Sequence, residues 1–219
     1  IPAPYLTGTA WFCGLPFHVD ERVIIPRSPL AELIYDGFQP WCESAPDFVL
    51  DLCTGSGCIG IACAYAFEQA EVVLSDISAD ALAVTQANIL EHNVASRVTA
   101  VESDLFDNLG RRRFDLIISN PPYVDARDLA EMPDEYQHEP ELALASGHDG
   151  LDFTRRLLRE AEQYLTPQGV LVVEVGNSWV ALEQAFSLVP FVWIDFAEGD
   201  SGVFVLTRDQ LLEHKESFA

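Results

Sequence analysis

Short apolar runs that alternate with helix-like segments constrain the fold of this 219-residue chain more than any other feature. Each run is short enough for a buried strand, and the segments between them carry apolar residues at helical spacing. Because parallel connections must cross over the sheet, this alternation predicts an α/β fold with a mostly parallel, doubly wound sheet. The predicted strands are Phe48–Leu52, Val72–Asp76, Val98–Val101, Leu116–Ile118 and Val170–Val175.

The fourth predicted strand leads directly into Ser119-Asn120-Pro121-Pro122-Tyr123-Val124. Neither proline can donate a sheet hydrogen bond and each fixes its own φ, so the chain must leave the sheet in a stiff turn. Asn120 is therefore held at the carboxyl end of a strand, where ligands bind in open parallel sheets. On its own the motif fits two interpretations equally well, a strand that ends at a proline turn and a ligand site.

β-Hairpins are predicted at both ends of the alternating region. Residues 1–9 contain Pro and Gly and predict a linker, and Ala10–Pro26 predicts a hairpin. At the other end, Phe191–Phe196 and Val203–Thr207 predict an antiparallel hairpin joined across Gly199-Asp200-Ser201-Gly202.

Two connections inside the chain are also informative. Pro167-Gln168-Gly169 predicts a turn before the fifth strand. Residues 125–150 are polar and long for a connection without structure, although Arg127–Tyr136 could form a short helix. Loops of this length usually carry function or move.

The net charge argues against nucleic acid as a partner. The chain has 35 acidic and 12 basic residues, a formal charge of −23, whereas nucleic-acid binding depends on clustered Lys and Arg. Such a surface attracts a basic protein partner. Acidity that only keeps the protein in solution explains the composition equally well.

The five cysteines predict a reduced, cytoplasmic protein. Cys53, Cys58 and Cys63 fall in one apolar stretch, their spacing matches no zinc pattern, and we expect buried free thiols and no metal. No apolar run reaches the roughly 18 residues that span a bilayer.

A glycine-rich turn follows the first predicted strand. Gly55, Gly57 and Gly60 satisfy G-x-G-x-x-G, and the acidic Asp76 follows about 20 residues later, which alone fits NAD. However, the charge of Asp51 disfavours a pyrophosphate, and only one nucleotide-binding half is present. S-adenosylmethionine fits better, because it has an adenosine and an amino-acid tail but no phosphate.

Four motifs together resemble the HemK-type protein-glutamine methyltransferases. The resemblance implies a class I S-adenosylmethionine-dependent methyltransferase fold, with a linker and hairpin over residues 1–27 and the catalytic domain over 28–219. It also implies that the family's N-terminal helical substrate domain is absent from this chain. The motifs are Asp51-Leu52-Cys53-Thr54-Gly55-Ser56-Gly57, Asp76, Asp104-Leu105 and Asn120-Pro121-Pro122-Tyr123.

Three features together indicate the branch of that family: the stretch Trp11–Phe17, the ending Gly199–Arg208, and a departure after Pro26-Arg27. Release-factor methyltransferases continue Pro-Asp-Thr-Glu after the Pro-Arg pair, whereas this chain has Ser28-Pro29-Leu30-Ala31-Glu32. The resemblance therefore implies methylation of a glutamine in the third protein of the large ribosomal subunit. The alternatives are a release-factor glutamine methyltransferase, an amino-methylating DNA (adenine) methyltransferase, and a non-catalytic ribosome-associated module.

The resemblance also assigns roles to individual residues. The backbone from Cys53 to Gly57, including Thr54, Gly55 and Ser56, is expected to hold the methionine part of the cofactor near Asp51. Asp76 is expected to bind the ribose, and Asp104 and Leu105 the adenine. We expect the Asn120 side-chain oxygen and the Pro121 carbonyl to accept the amide protons of the substrate glutamine, beside Pro122 and under the ring of Tyr123, with Asn120 also bordering the cofactor.

Overall fold

A mixed seven-stranded sheet lies at the centre of residues 1–131, 138–197 and 201–219, the part of the chain that the computed structural model describes. The strands are β1 Thr9–Phe12, β2 Leu15–His18, β3 Phe48–Leu52, β4 Glu71–Asp76, β5 Val98–Glu102, β6 Phe114–Ser119, β7 Leu165–Glu174, β8 Val192–Trp193 and β9 Val203–Thr207. The helices are α1 Ala3–Thr7, α2 Leu30–Tyr35, α3 Cys58–Ala66, α4 Ala79–Glu91, α5 Ala126–Glu131, α6 Asp152–Glu160, α7 Trp179–Ala185 and α8 Arg208–Glu213.

The strand order in the sheet is β5-β4-β3-β6-β7-β9-β8. Strands β3 to β7 pair in parallel, and β9 pairs antiparallel with both β7 and β8. The predicted doubly wound sheet and its terminal antiparallel hairpin are thereby confirmed. Residues 198–200 of the connection between β8 and β9 lie outside the described residues.

Both faces of the sheet are buried, which explains why its strands read as continuous apolar runs. Successive residues of β3 point to opposite sides: Val49 and its partner Leu116 join one core, and Leu50 and its partner Ile117 join the other. Helix α3 contributes to the first core and α6 to the second. The sheet therefore separates two apolar layers.

The predicted N-terminal hairpin is present as β1 and β2, but its strands end at His18, well before Pro26. Asn88 of α4 attaches the hairpin to the sheet domain. Its Oδ1 accepts from the His18 N–H at 2.8 Å and its Nδ2 donates to the His18 carbonyl at 3.0 Å. The segment after the hairpin then runs on towards α2 without regular structure.

The expected linker at residues 1–9 is partly wrong, because Ala3–Thr7 forms the short helix α1. Pro4 lies in its first turn, where a fixed φ suits a helix and the missing N–H costs nothing. Gly8 ends it in the left-handed conformation and donates its N–H to the Pro4 carbonyl.

Two further expectations change in the C-terminal half. The turn predicted at Pro167-Gln168-Gly169 lies inside β7, where the pairing with β6 shifts between Phe114 and Leu116. Helix α8 was not predicted, although Thr207 and Gln210 form a complete capping box that the sequence T-x-x-Q announces.

The segment 125–150 carries structure at both ends. Helix α5 occupies the start of the helix predicted at Arg127–Tyr136, and residues 132–137 lie outside the described residues. Further along the chain, Ala145 forms an isolated parallel bridge with Val124. The long connection is thus tied back to the end of β6.

Two further expectations concern free, buried cysteines and the lack of a segment long enough to span a membrane. All five cysteines are free in the structure. Cys42, Cys58 and Cys63 are buried as expected, whereas Cys53, at the turn after β3, and Cys13 are only partly buried. In the described residues no helix combines the length and the apolarity that crossing a membrane requires.

Gly60→Ala should destabilise the fold by about 2 kcal/mol. Alanine improves helix propensity by about 1 kcal/mol, but overpacking a core costs about 1–3 kcal/mol. A Cβ at Gly60 would stand 2.0 Å from Leu74 Cδ2 and 3.0 Å from Asp51 Cβ, which places this case at the upper end of that range. Urea unfolding followed by circular dichroism measures the loss.

Gly110→Ala is the matched control. Gly110 has a φ of +66° and open space around an added Cβ, so it loses only about 1 kcal/mol through backbone strain. A Gly60→Ala protein that loses no more stability than this control would contradict the close packing of α3 on β3 and β4.

Candidate active site

Three strand ends meet at one edge of the sheet. Leu52, the last residue of β3, is level with Ser75 of β4 and Ser119 of β6. The Ser119 hydroxyl donates to the Leu52 carbonyl at 2.9 Å, which supports this register between β3 and β6. The polar or turn-forming residues that follow these three positions are Cys53, Asp76 and Asn120.

The turn between β3 and α3 has an unusual backbone. Cys53, Gly55 and Gly57 all have positive φ, at 58°, 55° and 86°, and for the non-glycine Cys53 this conformation costs of order 1 kcal/mol or more. The Thr54 N–H donates to the Ser75 carbonyl at 3.0 Å, which fastens the turn to β4. An added Cβ at Gly55 would meet no atom within 4 Å, so its backbone faces open space.

Asp51 lies behind this turn and is fully buried. Its Oδ2 accepts from the Thr54 hydroxyl at 2.5 Å and from the Gly60 N–H at 2.9 Å, while its Oδ1 has no partner among the described residues. Burial raises the pKa of Asp51 to about 7; the charge of Asp76 adds to the rise, and the two hydrogen bonds oppose it. Asp51 therefore joins the turn to the start of α3.

Asp76, the last residue of β4, also accepts a hydrogen bond from the glycine turn. Its Oδ2 accepts from the Gly55 N–H at 3.0 Å and its Oδ1 from the Ser78 N–H at 2.9 Å. Burial raises the pKa of the Asp76 carboxyl above its ordinary value, although these hydrogen bonds favour the ionised form. Each oxygen keeps lone-pair capacity for a further donor.

Two cavities open at this edge. The glycine-turn cavity, of about 210 Å³, is lined by residues that follow β3, β4, β5 and β6, and the proline-turn cavity, of about 470 Å³, by the Asn120-Pro121 stretch and its surroundings. Asn120 borders both cavities, as do Ile24 and Ala143. Among the described residues the half-buried carboxamide of Asn120 has no hydrogen-bond partner, so it is available to a ligand.

Apart from Asn120, which borders both cavities, the predicted site residues fall into three groups. The residues that line the glycine-turn cavity are Cys53, Gly55, Asp76, Asp104, Leu105 and Pro122, and those that line the proline-turn cavity are Pro121 and Tyr123. The residues that line neither cavity are Asp51, Thr54, Ser56 and Gly57. The members of the last group are buried. They shape the turn from behind, as the bonds from Thr54 to Asp51 and from Asn88 Nδ2 to the Ser56 carbonyl show.

Sequence reasoning missed two residues that line these cavities and form ion pairs with distant parts of the chain. Glu139 is buried, pairs with the guanidinium of Arg27 and accepts from the Ile25 N–H at 3.3 Å, so it fastens one wall of the proline-turn cavity. Arg156 of α6 pairs with Asp104 at 3.0 Å on the rim of the other cavity. No local pattern announces either contact, because the partners are far apart in the chain.

Two curated relatives of this chain share one name. The ribosomal protein uL3 glutamine methyltransferase of Francisella tularensis subsp. tularensis is 56% identical over 219 residues, which are 99% of this chain and 70% of that protein. The protein of the same name from Neisseria gonorrhoeae is 49% identical over 214 residues, 97% of this chain and 71% of that one. This chain belongs to that family.

Comparison of domains and folds agrees with the family. The methyltransferase small domain family matches residues 41–134. The crystal structure of a methyltransferase from Pyrococcus furiosus superposes with a TM-score of 0.62 at 18% identity and covers 89% of each chain. The class I methyltransferase fold is thus confirmed, and proteins of this kind generally use S-adenosylmethionine.

The stability of the protein should fall between pH 5 and 7 because of Asp51. An unfolded aspartate ionises near pH 3.9, whereas burial raises the pKa of the folded Asp51 to about 7. Between these values the unfolded state loses its proton first, so raising the pH favours unfolding by up to a few kcal/mol. Urea unfolding at several pH values measures the slope, which Asp51→Asn should reduce.

Asp20→Asn is the control for this slope. The hydrogen bonds from Arg22 lower the pKa of Asp20 to about 2, so its contribution changes only below about pH 4. An equal slope in the wild-type and Asp51→Asn proteins would refute the assignment.

Proposed function

We propose that this chain methylates the side-chain amide nitrogen of a glutamine in ribosomal protein uL3, with S-adenosylmethionine as the methyl donor. The observation that carries the proposal is the place of Asn120, which borders both cavities. A carboxamide between two cavities can orient an acceptor amide towards a donor. Relatives that cover 97–99% of the chain are named for this activity.

The glycine-turn cavity suits this cofactor chemically. Asp76 has lone pairs left for ribose hydroxyls, and we assign Asp104 and Leu105 to the adenine. The backbone from Cys53 to Gly57 leaves open space at its tip for the methionine part. Asp51, with one buried oxygen that has no partner among the described residues, adds negative potential that favours an ammonium group. When bound, S-adenosylmethionine supplies an electrophilic methyl group.

The acceptor is a poor nucleophile, so positioning must carry the catalysis. The nitrogen lone pair of an amide is delocalised, and glutamine has no proton that is easily removed at neutral pH. In the proposed arrangement the Asn120 side-chain oxygen and the Pro121 carbonyl accept the two amide protons and aim the nitrogen at the methyl group. Good orientation can supply several kcal/mol, up to about 7–11 in well-oriented systems.

Both acceptors also stabilise the transition state more than the ground state. As the new bond forms, positive charge develops on the nitrogen, and hydrogen bonds to two oxygens strengthen with it. The methylated nitrogen then releases one of its two protons to solvent and becomes a neutral amide again. Pro121 and Pro122 fix the direction of the backbone carbonyl. Tyr123, which lines the same cavity as Pro121, is proposed to stack on the substrate amide.

The alternatives have less support. The curated relatives are named for uL3 rather than for a release factor, and the formal charge of −23 opposes a DNA substrate. A non-catalytic module has no need of an available carboxamide between two cavities. A ribosomal-protein substrate also implies a reaction in the cytoplasm, without nucleic-acid specificity.

Methyl transfer to uL3 tests the proposal directly. Unmethylated uL3, a release factor and an adenine-containing DNA duplex are each incubated with the protein and isotopically labelled S-adenosylmethionine. We expect label on one glutamine of uL3, located by mass spectrometry of its peptides. Label on the release factor or the DNA, or no label at all, would refute the proposal.

Asn120→Ala should lower the rate of methylation about 10²–10³-fold, as loss of a transition-state hydrogen bond does. Cofactor affinity, measured by calorimetry, should change much less, because the other cofactor residues remain. Asn177→Ala is the matched control: Asn177 lines the proline-turn cavity but not the glycine-turn cavity, and its loss should change the rate little. Near-normal turnover of Asn120→Ala would exclude this mechanism.

A further inference from the structure

A buried carboxylate beside the proline-turn cavity has no part in the proposed chemistry. Glu174 is the last residue of β7 and is only 4% exposed. Burying a carboxylate is costly unless hydrogen bonds compensate, and such residues are rarely buried without partners. The partners of Glu174 therefore indicate its purpose.

Two of the hydrogen bonds to Glu174 come from stretches that border the proline-turn cavity. Its Oε1 accepts from the Tyr123 hydroxyl at 3.3 Å, and its Oε2 accepts from the Ser28 hydroxyl at 2.6 Å. Tyr123 lines the cavity itself, and Ser28 follows Arg27, which also lines it. Glu174 therefore links the two stretches, by a short hydrogen bond from Ser28 and a longer one from Tyr123.

Tyr123 is held closely on its other sides as well. The Ser178 hydroxyl donates to the Tyr123 carbonyl at 2.7 Å. A Cβ at Gly176 would stand 2.5 Å from the Tyr123 ring, and one at Gly150 would stand 2.2 Å from the Tyr123 carbonyl oxygen. Packing thus confines the ring and backbone, and the bond to Glu174 fixes the end of the side chain.

Ser28 belongs to the stretch that departs from the release-factor pattern. Its hydroxyl also accepts from the Leu30 N–H at 3.2 Å, at the start of α2. It can do both because a hydroxyl donates one hydrogen bond and accepts others. Ser28 therefore connects the start of a helix, through Glu174, to Tyr123.

We propose that Glu174 is a positioning residue for methyl transfer, which sets the Tyr123 ring against the substrate amide and ties it to the Ser28 stretch. This inference rests on the proposed function. Glu174 does not contact the substrate; it acts through Tyr123. Ser28 adds to the same effect because it holds the second oxygen of the carboxylate.

A double-mutant cycle tests the link. Glu174→Gln and Tyr123→Phe should each lower kcat for uL3 methylation about tenfold, and the double variant should be no slower than the slower single one. The affinity for S-adenosylmethionine should stay close to the wild-type value, and the loss of stability in Glu174→Gln should be no larger than in the buried-carboxylate control Glu162→Gln. Effects that multiply to about a hundredfold, or a normal kcat for Glu174→Gln, would overturn the proposal.

Ser28 provides a second cycle that does not require the carboxylate to be changed. Ser28→Ala should lower kcat severalfold in the wild-type background but not in the Tyr123→Phe background, and Ser28→Thr, which keeps the hydroxyl, should restore it. An equal loss of kcat in both backgrounds would contradict the link. These results stay decisive if Glu174→Gln fails to fold.

Glu162→Gln is the matched control for removing a buried carboxylate. Glu162 is buried and pairs with Lys215 at 3.0 Å, and it lines neither cavity. Its loss should affect stability and leave kcat unchanged. If the wild-type protein methylates no glutamine of uL3, the proposed function fails; if it does and Glu174→Gln matches it, only this inference fails.

Discussion

The parallel pairing of β3 with β4 and β6 governs the geometry of the whole site. Because Leu52 is level with Ser75 and Ser119, the chain leaves three neighbouring strands at the same height. A shift of one residue along β6 would move Asn120 away from the glycine turn and turn every side chain of that strand to the other face. Binding and positioning groups meet here only because this register is kept.

The apolar pattern specifies this register only weakly, because both faces of the sheet are buried. Polar contacts at the strand ends help to specify the register where the apolar pattern does not. The Ser119 hydroxyl binds the Leu52 carbonyl, and Asp51 binds the N–H of Gly60, a residue that packs against Leu74 with no room for a side chain. These contacts define the heights of the turns, and the apolar cores supply most of the stability.

Two acidic residues, Asp76 in the wall of the glycine-turn cavity and Asp51 behind the turn, match the positive charge of the proposed ligand. Burial raises the pKa of both Asp51 and Asp76, and the charge of Asp76 adds to the rise at Asp51. A ligand with positive charge at its sulfonium and ammonium groups offsets that cost. Acidity that destabilises the free protein therefore favours a cationic cofactor over one that carries phosphates.

The sequence predicts the sheet well because strands and helices are encoded locally, in apolar runs and helical spacing. It also locates the turns, since glycine and proline act on their own backbone at Gly55 and Pro121. Helix α8 was missed although Thr207 and Gln210 encode its start, so that signal was local and simply overlooked. Pro167-Gln168-Gly169 was mistaken for a turn because only the pairing with β6, whose register shifts there, reveals that β7 continues through it.

The walls of the site could not be predicted in the same way. Glu139 meets Arg27, and Glu174 meets Ser28 and Tyr123, across more than 50 residues of chain in each case. The predicted strand Val170–Val175 contains Glu174 and so suggests its burial, but nothing in the local sequence of either acid identifies its partners. Asp51 is a different case: its position beside the glycine turn predicts a role near the cofactor, but only the structure shows that its side chain is fully buried behind that turn.

The proposed pair of acceptors also explains why the site selects an amide. The Asn120 oxygen and the Pro121 carbonyl offer lone pairs to a group with two protons on one nitrogen. A glutamate carboxylate has the same length and shape but no proton to donate, so its oxygens would face two acceptors without compensation. A buried polar site rejects an analogue that lacks the required donors by far more than an apolar pocket rejects a missing methylene. Selection of glutamine over glutamate therefore follows from the same two oxygens that orient the nitrogen.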